Sequence, residues 1–203
     1  MTVTLSRITE PAARRHAAGS VAGFTLVEAL VVIAIAAILL GIAVPSLQAS
    51  LQANRVDTAA NQFVAMLAMA RSEAVKQGGN VVVASAAGNN WGSGGWSACD
   101  ATAGSSASSC SGAGTVVVQQ VTALSGAMTI YGNAAAVSFD STGRLVAGGE
   151  VDFIVCGDGS TATKPLAQGI TLLASGRVRL SNFDAAGVPV RNDLATEMSC
   201  TQP

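Results

Sequence analysis

Residues 23 to 45 read GFTLVEALVVIAIAAILLGIAVP, an almost unbroken apolar run with one carboxylate, Glu28, near its start. As a helix, the 21 residues from Phe24 to Val44 span about 31 Å, the thickness of a bilayer's hydrocarbon core. Arg14 and Arg15 precede the run, and the positive-inside rule keeps that end in the cytoplasm and exports the rest. A plain signal peptide or an ordinary anchor would account for the apolar length, but neither accounts for Glu28. A carboxylate at membrane depth costs at least a few kcal/mol unless a partner is found, which makes it a functional candidate. Cleavage between Gly23 and Phe24 would create that partner, a new positive amino terminus four residues before Glu28.

Composition narrows the function classes. The 203 residues are half hydrophobic and 11% charged, enough for one globular domain with a core beside the apolar segment. The formal net charge of −1 gives no global basic field to attract nucleic acid. Loss of the leader removes Arg7, Arg14 and Arg15 against Glu10, leaving 8 basic and 11 acidic side chains, a net of −3. It also removes His16, the single histidine, and with it the commonest general base and metal ligand. Cys99, Cys110, Cys156 and Cys200 have no CxxC spacing, so in an exported chain they read as two disulfides rather than a zinc site, and no cofactor is expected.

The motif GFTLVEALVVIAIAAILLGIAVP resembles the class III signal of type IV pilins and of the pseudopilins of type II secretion. The resemblance implies that prepilin peptidase cuts after Gly23 and that the new terminal Phe24 is methylated. It implies that Glu28 registers one subunit against its neighbour's amino terminus. Pro45 falls at the family's helix-kinking position, where its missing N–H weakens the helix. The 23-residue leader is longer than is usual for the family.

After Pro45 the periodicity becomes amphipathic. Val56, Ala60, Phe63, Leu67, Ala70 and Ala74 form the apolar stripe, and Gly78-Gly79 stops the helix. A single helix from Phe24 to Gln77 would be roughly 80 Å long. Strands are expected at 80–85, 115–121, 127–131, 136–140, 151–156, 169–174 and 177–181, where short β-rich runs alternate with Gly, Ser and Asn. Between the first two, AAGNNWGSGGWSACDATAGSSASSCSGAG reads as a low-complexity loop in which only the tryptophans pack. Cys99 and Cys110 are spaced to staple that loop locally, and Cys156 to hold the C-terminal tail through Cys200. Four cysteines permit three connectivities, so the pairing stays open.

NRVDTAANQFVAMLAMARSEAVKQGGNVVV, WGSGGW, VSFDSTGRL and ASGRVRL are similar to the GspH/FimT branch of minor pilins and pseudopilins, over nearly all of residues 23 to 181. The implied fold is α+β: a long N-terminal helix, transmembrane in its first half, packed on two small antiparallel β-sheets. The implied organisation is a leader at 1–23, a membrane or filament-core helix at 24–45, its amphipathic half at 46–77 and a β-rich domain at 78–203. Implied partners are the inner membrane, prepilin peptidase and other pilins. The β-domain would be periplasmic and then exposed on the pilus.

No nucleophile elbow, phosphate loop or metal-spaced cluster occurs. Asp57 and Glu73 read as surface charge on the helix. FDSTG (139–143) has one DTG-like triplet and reads as a strand-to-turn with Gly143 at the bend, so no enzyme is expected. The informative cations are in SGRVRLSNF, residues 175 to 183. On a strand, Arg177 and Arg179 project from one face while Val178 and Leu180 point into the sheet core. A guanidinium pair matches successive phosphates bidentately. FimT-like members of the branch from naturally competent bacteria carry a GRxR motif that binds double-stranded DNA, and Gly176-Arg177-Val178-Arg179 matches it. Arg191, Lys164 and Arg144 are candidates to extend the patch. The competing readings are edge arginines that only discourage strand pairing and a purely structural subunit, either a GspH-like pseudopilin of type II secretion or a pilus-priming minor pilin.

Overall fold

The structure, a computed structural model, describes residues 23–101, 109–111, 115–126, 128–157, 166–190 and 198–200. The chain divides after Val44 into two compact units. One helix, α1, runs Leu26–Gln77 with Pro45 inside it. Pro45 lacks the N–H that would bond the Gly41 carbonyl one turn back. The most apolar window of α1 has a mean hydropathy of 2.8 and no buried residue. Among the described residues this is the one helix long and apolar enough to cross a membrane.

From residue 56 onward α1 buries Val56, Ala59, Ala60, Phe63, Met66, Leu67, Ala70 and Ala74. All six residues of the expected stripe are among them, and the alanines let the sheets approach the helix closely. Glycine at 78 ends the helix in a left-handed conformation, φ +66°, which an L side chain resists.

Two four-stranded antiparallel sheets follow. The first has the order β3-β2-β1-β5, built from Val117–Val121, Trp96–Asp100, Val81–Ser85 and Ala136–Phe139. The second has the order β4-β6-β7-β8, built from Thr129–Gly132, Val151–Cys156, Ala167–Leu172 and Val178–Leu180. A short helical turn, α2 (Trp91–Gly94), precedes β2. Both sheets send alternate side chains into one core with the helix stripe: Val81, Val83, Val137 and Phe139 from the first, Phe153, Val155, Ile170 and Leu172 from the second. Phe63 stands at its centre, edge-on to Trp91, Trp96 and Phe153 at centroid distances of 5.3, 5.3 and 4.7 Å.

One expectation is corrected here. The stretch read wholly as a loop contains β2, which pairs with β1 from Val81↔Asp100 to Ser85↔Trp96 and with β3 on its other side. Its W-S-A alternation puts Trp96 and Ala98 in the core. That short signal is hidden in sequence by the Gly- and Ser-rich residues around it. The strands also start or stop a residue or two away from the expected limits. In particular β7 ends at Leu172, because Leu173 and Ala174 enter a turn.

The cysteines join Cys99 to Cys110 and Cys156 to Cys200, with Cα–Cα distances of 5.7 and 5.9 Å. The first covers the outer face of β1, where Val82, Ala84 and Cys99 form a small cluster; β1 is therefore buried on both faces and reads as a continuous apolar run. The second holds Met198 and Cys200 against Ile154, Cys156 and Ala167 on the outer face of the second sheet.

Candidate functional site

The β7–β8 hairpin closes through a three-residue loop. Leu173 N–H donates to the Arg177 carbonyl (2.9 Å), and Gly176 N–H donates to the Leu173 carbonyl (2.8 Å). Gly176 sits at φ +74°, the left-handed position such loops require. Among the described residues β8 is an edge strand, paired only with β7, with Thr171↔Arg179 and Leu172↔Val178 in register. Arg177 and Arg179 are exposed, and Val178 is half-buried against the core. Leu180 departs from expectation. It lies opposite Ile170 at the end of β8 and stays 55% exposed instead of entering the core.

A second turn of the same construction abuts the first. Gly143 N–H donates to the Asp140 carbonyl and Asp140 N–H to the Arg144 carbonyl, both at 2.8 Å, with Gly143 at φ +76°. The turns touch so closely that a Cβ on Gly176 would overlap the Gly143 carbonyl oxygen. Leu145 N–H donates across to the Ala174 carbonyl at 3.0 Å. From α1, Arg71 ties both together: Nε donates to the Gly143 carbonyl (2.8 Å) and Nη2 to the Ser175 carbonyl (3.4 Å). Arg144 and Arg177 each follow one of the abutting glycines, so the structure brings these two sequence candidates to one corner. A third copy of the turn, Asp184–Val188 with Gly187 at φ +79°, carries no cation. Lys164 and Arg191 lie outside the described residues.

The carboxylates nearby temper the charge. Asp152, in the row of Thr171 and Arg179 across the sheet, accepts a hydrogen bond from Thr171 Oγ1 at 2.8 Å. Asp140 Oδ1 accepts from Thr142 Oγ1 (2.6 Å), Thr142 N–H (2.8 Å) and Arg144 N–H (2.9 Å). The Thr142 hydroxyl first, then the Arg144 amide, hold the Asp140 carboxyl below the ordinary aspartate value. Because the folded value is the lower one, these bonds contribute stability above the unfolded pKa of about 3.9 and lose it as pH falls through the folded value. On acid titration the Thr142 and Arg144 amide resonances are expected to move together with a midpoint below about 3.9, and to lose that transition in Asp140→Asn. A midpoint above that value contradicts this account.

At the other end of the chain, Gly23 and Phe24 are exposed just before α1. Thr25 is the helix cap: its carbonyl accepts from Ala29 N–H and its Oγ1 from Glu28 N–H, both at 3.2 Å. Thr25 and Glu28 thus have the spacing of a capping box, with the carboxylate in the first turn, where the helix dipole favours negative charge.

Sequence reasoning missed Arg71. It lies 72 and 104 residues from its two partners, and nothing in its own neighbourhood distinguishes it from other polar positions of the helix.

A capped apolar helix that starts beside a Gly-Phe junction and continues onto two small antiparallel sheets defines a protein of the pilin-like class. The chain belongs to the GspH family: the family model described as "Type II transport protein GspH" matches residues 59–185, and the prokaryotic N-terminal methylation motif matches residues 19–44. Two crystal forms of the type IV minor pilin FimU of Pseudomonas aeruginosa share its fold. One is 23% identical with a TM-score of 0.50, covering 62% of this chain and 92% of that one. The other is 23% identical with a TM-score of 0.51, covering 64% and 90%. No curated protein sequence matches significantly. The family is one of structural pilins and pseudopilins, and its N-terminal motif and apolar helix are those of a membrane-anchored pilin.

Proposed function

We propose that the chain is a minor type IV pilin whose β-domain holds double-stranded DNA by its phosphates during uptake. Prepilin peptidase cuts after Gly23 and methylates Phe24, the protein waits in the inner membrane with its β-domain in the periplasm, and Glu28 then meets an amino terminus as the subunit enters the filament. The domain needs no catalytic group for this role. The observation that carries the DNA reading is the pair Arg177 and Arg179, both exposed, Arg179 on the edge strand β8 and Arg177 in the turn that leads into it, with Arg144 on the abutting turn. Guanidinium groups so presented reach successive phosphates without reading bases. Two to four such contacts give weak, salt-sensitive binding, which many copies along a filament convert into capture by avidity.

A second reading, a GspH-like pseudopilin of type II secretion that touches only other subunits, is favoured by the description of the matching family model. A gel-shift with the mature chain in non-ionic detergent separates the two. The wild type is expected to retard duplexes of any sequence at low salt, and Arg177→Ala with Arg179→Ala to abolish the shift. Equal binding by wild type and double variant removes the arginine pair from the account, and no binding by either leaves the purely structural subunit.

A further inference from the structure

A groove of about 700 Å³ runs between α1 and the two abutting turns, lined by Arg71, Ser72 and Val75 on the helix and by Thr142, Gly176 and Arg177 on the turns. The geometry points to this groove as a subsite for one phosphodiester of the bound duplex, with Arg71 as its fixed cation and the exposed Arg177 as its second. This rests on the DNA reading above and extends the binding track from the sheet edge onto the helix.

Three observations carry it. Arg71 spends two of its five N–H donors on the Gly143 and Ser175 carbonyls, leaving three for a ligand. Both partners are neutral backbone groups, and among the described residues no carboxylate lies within ion-pairing distance of Arg71, so its charge is not cancelled. Its Nε is also pinned: a Cβ on Gly143 or on Gly176 would meet that atom at 3.0 or 2.9 Å. A guanidinium already held in place loses little rotamer freedom on binding, in contrast to the exposed Arg177 facing the same groove. The hydroxyls of Ser72 and Thr142 donate to the Met69 carbonyl and to Asp140, which leaves the arginines as the groove's free donors toward an anion.

The test uses the mature chain in non-ionic detergent and a 30-base-pair duplex, with affinity measured between low and moderate salt. Arg71→Gln is expected to weaken binding several-fold and to make the slope of log K against log salt shallower by about one. Arg71→Lys is expected to keep the slope and lose part of the affinity. A residue that merely positions the Arg177 turn behaves differently: its effect vanishes once Arg177 is gone. Arg71→Gln is therefore repeated on Arg177→Ala, where a further loss of affinity and slope supports the phosphate contact and no further loss overturns it. A second measurement works without any substitution: in wild-type protein the Arg71 Nε–H resonance should shift on adding duplex, and a resonance that stays put overturns the subsite. If Arg71→Gln spares DNA but abolishes binding of polyglutamate, the groove belongs to an acidic protein partner and the proposal fails. If wild type binds no DNA at all, the functional reading fails with it, whereas DNA binding that depends on Arg177 and ignores Arg71 sinks the subsite alone.

Discussion

Phe63→Ala is expected to lower the stability of the β-domain by about 3–5 kcal/mol, the cost of emptying a buried aromatic site. Phe63 is fully buried and meets the rings of Trp91, Trp96 and Phe153 edge-on. Phe63 packs against rings from α2, β2 and β6 at once, so its loss cannot be absorbed by a local collapse of one element. For a domain of this size each kcal/mol moves Tm by about 2–4 °C, which puts the expected drop near 6–20 °C. Near-UV circular dichroism reads it directly, because both tryptophans of the chain pack around Phe63. Phe63→Leu keeps most of the volume and should lose much less, about 1–2 kcal/mol. A Phe63→Ala variant within about 1 kcal/mol of wild type would mean that the core does not depend on this junction.

Glu28→Ala is expected to leave processing largely intact while filament incorporation falls by about tenfold or more. The argument is one of partners. On the proposed reading, an amino group at Phe24 would enter an apolar filament core uncompensated without Glu28, and leaving one member of a buried pair alone costs about 3–5 kcal/mol. Local helix damage is too small to explain such a loss. Thr25 Oγ1 bonds the backbone N–H of residue 28, which alanine retains, so the cap survives and the helix itself loses well under about 1 kcal/mol. Immunoblots of sheared filaments against the membrane fraction measure incorporation, and mass spectrometry of the membrane pool reads cleavage and methylation. Glu28→Asp, which keeps the charge, should recover part of the incorporation and Glu28→Gln should not. Normal incorporation of Glu28→Ala would remove the carboxylate from assembly.

The helix was the most legible element. Its stripe from Val56 to Ala74 repeats at the helical period and its stop is a glycine pair, both local properties of the chain. Val81–Ser85 and Val151–Cys156 were equally plain, since apolar β-branched runs between turn residues have few alternatives. Trp96–Asp100 was not legible. Its neighbours are small and polar because a disulfide and two flanking strands supply the cover that side chains supply elsewhere. The GRVR motif stood out in sequence, but Leu180 did not behave as alternation demanded, because among the described residues no further strand lies beyond β8 to bury its side chain against.

What the chain determined by itself is whatever depends on residues within a few turns of each other: an apolar stem with one acid, a Thr25–Glu28 cap, a helical stripe, and glycines where turns need left-handed backbone. Tertiary structure alone decided which distant pieces meet. It set one glycine turn against another and placed Arg71 beneath both. Contacts across 72 and 104 residues leave no periodicity in a sequence, because their energy is realised only once the sheets have closed on the helix.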